Sequence, residues 1–211
     1  MNITLLGAGN MGSALASQLT RVGHTVRIVS RTPAKAQAIA AANPGAEVVL
    51  ADTAMAGTDV VIVATGFGDA VPALQSLGSL AGKVIVDITN PMNDDFSGLT
   101  VGHDTSAAEE IAKAFPEAEV VKAFNTLFAQ VLAKGPQLDD GQVATAFYAG
   151  DGERAKQTAR ALIDSIGFKA VDAGGLKNAR YLEPLAGLNI YFGYGAGLGT
   201  ANAPTWIGQA A

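Results

Sequence analysis

Apolar residues in this chain come in short runs separated by stretches of helical spacing. Residues 3–6 form an apolar run. Ala14, Leu15, Leu19 and Val22 follow at the three-and-four spacing of a helix face, and after Gly23 a second run covers 26–29. The alternation continues to residue 172. Segments 47–50, 59–64 (DVVIVA), 83–87 (KVIVD), 119–123, 143–149 and 168–172 read as strands, and 72–80, 105–115 and 151–166 as helices. Runs as continuous as 59–64 and 83–87 belong to strands buried on both faces. The 105–115 helix takes Asp104 or Thr105 as its cap, with Glu109 and Glu110 in the early turns where the helix dipole favours them. About eight strands of parallel type with intervening helices predict an α/β, doubly wound, mostly parallel sheet. No repeat or low-complexity linker interrupts the pattern.

The first strand leads straight into Gly7-Ala8-Gly9-Asn10-Met11-Gly12. Strand, glycine turn, helix and strand within about thirty residues form a unit that binds a dinucleotide pyrophosphate at the helix N-terminus. Gly7 permits the tight turn, Gly9 lets the backbone approach the phosphates, and Gly12 lets the helix pack close to the strand. The end of the second strand selects the cofactor. An NAD site usually carries Asp or Glu there for the ribose diol. Here the chain reads Ser30-Arg31-Thr32-Pro33-Ala34-Lys35, with a hydroxyl, a guanidinium and an ammonium in place of a carboxylate. A 2′-phosphate suits the planar donor fork of Arg, so the expected cofactor is NADP(H). The plain alternative is a solvated face with Pro33 in the first turn of a helix.

Hydrophobic residues make up 49% and charged residues 16%, which suits a large buried sheet and excludes a disordered chain. The net charge is −5 with the basic residues scattered, so nucleic acid is not an expected partner. Without cysteine there is no disulfide framework or thiolate chemistry, and the two histidines, His24 and His103, are too far apart in sequence to suggest a metal site. No signal-peptide pattern and no apolar run of membrane length is visible, so a cytoplasmic location with no membrane span is expected.

In such sheets ligands lie beyond the carboxyl ends of the strands. Thr65, Gly66 and Phe67 should flank the adenosine and pyrophosphate, while Asn90-Pro91 and Asn125-Thr126 should reach the nicotinamide. Residues 184–208 are apolar, glycine-rich, aromatic and uncharged. They must cover a cofactor pocket, a partner subunit or the core. Tyr191, Phe192 and Leu198 are the candidates there for walling in a flat acceptor ring. No acid/base constellation is apparent. The tyrosines do not fit Tyr-x-x-x-Lys, since Tyr148, Tyr181, Tyr191 and Tyr194 are followed four residues later by Gly152, Leu185, Gly195 and Leu198. A flavin or deazaflavin acceptor spreads the added charge without a strong protein acid, and catalysis is then mostly orientation. A non-catalytic NADPH-binding redox sensor fits the same absence. A small β-hydroxyacid-dehydrogenase-like enzyme has only Lys177-Asn178 in its favour, outside the long central helix such enzymes use.

Four stretches, GAGNMG at 7–12, SRTPAK at 30–35, VVKAFNT at 120–126 and VDAGGLKNARYLEPL at 171–185, resemble the coenzyme F420-dependent NADP oxidoreductase family. VDITNP through VVKAFNT is also similar to the cytosolic NADPH-oxidising domain of the six-transmembrane metalloreductases, which pass hydride to a flavin. The resemblance implies a Rossmann-type NADP-binding domain over residues 1–174, a small C-terminal helical cap and dimerisation segment over 175–211, and a homodimer. It assigns Ser30, Arg31 and Lys35 to the 2′-phosphate. The chain departs from the archaeal members at Asn125, where they carry His, and in the loop after Asp87. The expected reaction is hydride transfer between NADP(H) and a small-molecule acceptor, F420, FMN or FAD, with Asn125 positioning the two rings.

Overall fold

The computed structural model describes residues 1–139 and 141–208. Eight strands form one sheet: β1 (Asn2–Leu6), β2 (Thr25–Val29), β3 (Ala46–Val48), β4 (Val60–Val63), β5 (Val84–Asp87), β6 (Glu119–Ala123), β7 (Thr145–Gly150) and β8 (Lys169–Asp172), in the order β3-β2-β1-β4-β5-β6-β7-β8. The chain winds outward from β1 to β3, then returns to place β4 on the other side of β1. The crevice between β1 and β4 is therefore the topological switch point. The strands through β6 are mutually parallel. β7 runs antiparallel to β6 and β8 runs with β7, so the sheet is mostly parallel, as its sequence predicts, with one reversed pair of strands at its edge.

Among the described residues, seven α-helices flank the sheet: α1 (Asn10–Arg21), α2 (Pro33–Ala42), α3 (Phe67–Gln75), α4 (Ala107–Ala114), α5 (Ala129–Lys134), α6 (Glu153–Ser165) and α7 (Ala179–Ile190). Alternate strand residues point to opposite faces. Ile3, Leu5, Val60, Ile62, Val84 and Val86 pack against α1, α5 and α6, while Leu6, Val61, Val63 and Ile85 pack against α3 and α4. All four residues of β4 are fully buried, each contributing about 1.5–3 kcal/mol of transfer free energy. Among the described residues no helix is long and apolar enough to cross a membrane.

Three local expectations need correction. The helix read at 72–80 is α3, which begins at Phe67 and ends at Gln75 with Pro72 inside it. Gly66 at the strand end starts it, not the proline. The cap of α4 is Ser106, whose Oγ accepts the Glu109 N–H at 3.2 Å, so neither Asp104 nor Thr105 holds that position. The strand expected at 143–149 is Thr145–Gly150, with Val143 in an isolated bridge to Gln137.

After β8 the chain continues down the sheet, where Gly174 O accepts the Gly150 N–H, makes a 3₁₀ turn at Leu176–Asn178, and climbs back as α7. A π-helical turn, Tyr191–Gly195, extends α7 at the end where the glycine turn lies. Beyond it the chain reaches the β7–β8 edge, where Trp206 meets Phe147 edge-on at 6.3 Å and its carbonyl accepts from Lys169.

Candidate functional site

β1 ends at Leu6 and α1 starts at Asn10, and the three glycines between and just beyond have distinct reasons. Gly7 sits at φ +112°, and a Cβ there would lie 2.3 Å from Ala64 O, just past the end of β4. A Cβ at Gly12 would lie 2.3 Å from Gly7 O. Both positions are closed by backbone. A Cβ at Gly9 would instead meet nothing within 4 Å. Gly9 caps α1 with no side-chain hydrogen bond and no acidic residue in the first turn. The positive helix end and its free N–H groups therefore face open space that an anion fits.

On one side of this turn lies a cleft of about 530 Å³. Its walls are Val49, Leu50 and Ala51 against Thr65, Gly66, Pro72 and Ala73, with Ser30, Arg31 and Lys35 at the far end. Arg31 is 81% exposed and pairs bidentately with Asp69 of α3, Nη1 to Oδ1 at 3.1 Å and Nη2 to Oδ2 at 2.5 Å. Ser30 Oγ accepts the Thr32 N–H at 3.1 Å. The arrangement offers apolar walls for a base and concentrated donors for a phosphate.

On the other side lies a smaller cleft of about 220 Å³, lined by Asn10, Met11, Asn90, Asn125, Thr126 and Asn189 with the rings of Phe96, Phe128 and Tyr194. Among the described residues, no carboxylate, ammonium, guanidinium or imidazole lines it. The two clefts meet at Gly9 and Asn10. Its carboxamides interlock: Asn125 Nδ2 donates to Asn90 Oδ1 at 2.9 Å and to Leu182 O at 3.0 Å, and Asn90 Nδ2 donates to Asn125 O at 2.8 Å. Asn189 Nδ2 donates to Thr126 O at 3.0 Å. Asn125 Oδ1 and Thr126 Oγ1 are buried without a protein partner. Buried polar atoms are seldom left so, and a nicotinamide carboxamide would supply what they lack. Phe124 just before them is fully buried at φ +57°, a left-handed conformation costly for a non-glycine residue and common where a site is held under strain.

The family model described as NADP oxidoreductase, coenzyme F420-dependent, matches residues 2–91. The F420-dependent NADP reductase of Methanothermobacter marburgensis is 31% identical over 90% of this chain and 91% of its own length. The crystal structure of a putative F420-dependent NADP-reductase from Arthrobacter sp. FB24 matches with TM-score 0.85 at 30% identity, covering 98% of this chain and 99% of that one. The chain belongs to the F420-dependent NADP oxidoreductase family. It is thus an enzyme of the oxidoreductase class with the Rossmann-type fold. It is also 33% identical to rat metalloreductase STEAP3 over 87% of its length, while spanning only 36% of that protein.

Within this family member the residues singled out in the sequence are distributed as follows. Gly7, Gly9, Ser30, Arg31, Lys35, Thr65 and Gly66 line the larger cleft. Asn10, Met11, Asn90, Asn125 and Thr126 line the smaller one. Gly12 packs behind the turn, Phe67 opens α3, and Pro91 is buried beside the smaller cleft with its carbonyl accepting from Thr100. Tyr191, Phe192 and Leu198 lie outside the cleft lining, 60%, 42% and 63% exposed, while Ile190 at the end of α7 and Tyr194, itself 68% exposed, line the cleft.

Sequence reading missed two groups of residues. Asp69 reaches Arg31 from a helix 38 residues on. Below the smaller cleft lies a buried charge cluster: Lys122 Nζ contacts Asp87 Oδ2 at 2.6 Å, Glu183 Oε1 at 2.8 Å and Thr89 O at 2.7 Å. All three charged side chains are at most 1% exposed. Glu183 also accepts from the Ala107 and Ala108 N–H groups at the start of α4. Burial pushes its carboxyl above the usual range, against the opposing pull of Lys122. A signal was present. KVIVD ends its apolar run on Asp87 and VVKAF sets Lys122 inside one, and Asp87 and Lys122 are register partners across β5 and β6.

Proposed function

We propose that this enzyme transfers hydride between NADP(H) and a flat-ring acceptor of the deazaflavin or flavin type, F420, FMN or FAD. The observation that carries the reading is the meeting of the two clefts at Gly9 and Asn10, one ending in Ser30, Arg31 and Lys35, the other uncharged and aromatic. The α1 N-terminus takes the pyrophosphate, and Ser30, Arg31 and Lys35 take the 2′-phosphate. Asn125 Oδ1 and Thr126 Oγ1 receive the carboxamide and orient the ring. Bound NADPH supplies the hydride. Phe128 walls the cleft from within, and the exposed rings of Phe96 and Tyr194 at its rim offer faces for the acceptor plane. A delocalised acceptor spreads the added charge, which matches a cleft without an ionised side chain.

The reading extends to a cytoplasmic homodimer, with residues 1–174 binding the nucleotide and 175–211 serving as cap and dimer contact. Support for the dimer is the exposed apolar face of Tyr191, Phe192 and Leu198, which a second copy would cover while completing the acceptor pocket. Stopped-flow NADPH oxidation against F420, FMN and FAD tests the reaction. At least one acceptor should be reduced in a single turnover, and Tyr191→Ala with Phe192→Ala should lower that rate far more than NADPH affinity. If no acceptor is reduced by the intact protein, a redox-sensing module that binds NADPH without turnover becomes the better reading.

A further inference from the structure

Below the smaller cleft, the buried ions tie three elements together. Lys122 Nζ donates to Thr89 O at 2.7 Å and forms ion pairs with Asp87 Oδ2 at 2.6 Å and Glu183 Oε1 at 2.8 Å. Asp87 Oδ1 takes the Thr89 N–H at 2.8 Å. Thr89 is thus pinned at both its N–H and its carbonyl, and the next residue is Asn90. On the other side, Glu183 follows Leu182, whose carbonyl takes the Asn125 Nδ2 donor. Lys122 itself precedes Asn125 by three residues through the strained Phe124. The ions therefore bracket the interlocked pair Asn90–Asn125 from β5, β6 and α7 at once.

Packing alone does not explain this expense. Desolvating three ionisable groups is costly, and apolar side chains of similar volume would serve a core at least as well. What such side chains could not do is fix two loop ends and a helix to one point. We propose that Asp87, Lys122 and Glu183 are positioning residues that set the Asn90–Asn125 carboxamide pair, and through it the angle at which the nicotinamide ring meets the acceptor. The proposal rests on the reading that the nicotinamide occupies the smaller cleft.

On that reading the adenosine end of the cofactor lies in the larger cleft, whose lining includes none of Asp87, Lys122 and Glu183. The two ends can therefore be read separately. Glu183→Gln keeps the volume and one acceptor but removes the second counter-charge of Lys122. Three quantities are measured on the full chain: the affinity for 2′,5′-ADP, the emission of bound NADPH, which reports the ring's surroundings, and the single-turnover rate with the best acceptor. In the variant, 2′,5′-ADP affinity should stay within about twofold, NADPH emission should move toward that of the free cofactor, and the rate should fall about tenfold or more, since ångström-scale misplacement of reacting groups can cost up to about a hundredfold. Unchanged emission and rate, with or without a lower melting temperature, would overturn the proposal and leave the cluster a structural brace. Loss of 2′,5′-ADP binding together with the rate would also overturn it, since the cluster would then prop the whole fold. If NADPH emission does not change on binding to the wild type, the nicotinamide is not held in the cleft, and the functional reading falls along with the proposal. If emission responds as expected but no acceptor is reduced, positioning stands and only the acceptor assignment is lost.

Discussion

On the proposed reading, Arg31→Ala should leave the larger cleft barely able to distinguish the two nicotinamide cofactors. Arg31 is 81% exposed, and its partner Asp69 is 47% exposed. An ion pair so wetted contributes about 0–1 kcal/mol, so losing it should leave stability nearly unchanged. A charge-assisted contact to a 2′-phosphate contributes about 1.5–3 kcal/mol, from which release of Asp69 must be subtracted. The remainder, about 1–2 kcal/mol, corresponds to roughly fivefold to thirtyfold in affinity. Titration calorimetry with NADPH and NADH at low and high salt reads this directly. NADPH affinity should drop by that factor, NADH affinity should be unaffected, and the difference should shrink as salt screens the exposed charges. Asp69→Asn should act in the opposite direction, raising NADPH affinity by up to about fivefold, because Arg31 no longer has to leave a carboxylate. Equal wild-type affinities for the two cofactors, or an equal loss of both in Arg31→Ala, would refute the assignment of this end of the cleft.

Two further outcomes follow from geometry and titration. Gly9→Val, directed into open space, should abolish nucleotide binding without lowering the melting temperature, whereas Gly12→Val, pressed on Gly7 O, should cost about 1–3 kcal/mol of stability; equal melting temperatures for the two variants would contradict the cleft's placement. Arg180 donates to both oxygens of Glu109 and holds its carboxyl below the usual range, so this contribution is present at neutral pH and fades as pH falls through that lowered value; Arg180→Ala should be less stable at pH 7 and show a shallower acid branch in unfolding curves, and parallel curves would exclude the linkage.

The strands were legible because buried parallel strands are apolar at nearly every position, as in β4 and β5. The glycine turn was legible because its spacing is imposed by backbone contacts at Gly7 and Gly12. What escaped depends on partners distant in sequence. α7 carries Pro184 and an apolar pattern with no capping signal, so it read only as a covering segment. Asp69 pairs with Arg31 only because α3 starts at Phe67, five residues before its proline suggested. Glu183 joins Asp87 and Lys122 only once α7 has climbed back beside α4, a route that follows from the reversed β7 and β8.

That reversed pair has a consequence in time as well as in space. Every residue lining the larger cleft lies between Leu6 and Ser76, so that wall set leaves the ribosome early. The smaller cleft draws on residues from Asn10 to Tyr194, and its last wall is synthesised only after the chain has gone down β8 and back up α7. Chains emerge N-terminus first, at about 5–20 residues per second. A nascent chain therefore carries the complete lining of the larger cleft several seconds before that of the smaller one. If the larger cleft holds the adenosine end of the cofactor as proposed, early capture would stabilise the half-made sheet by mass action before the second cleft exists.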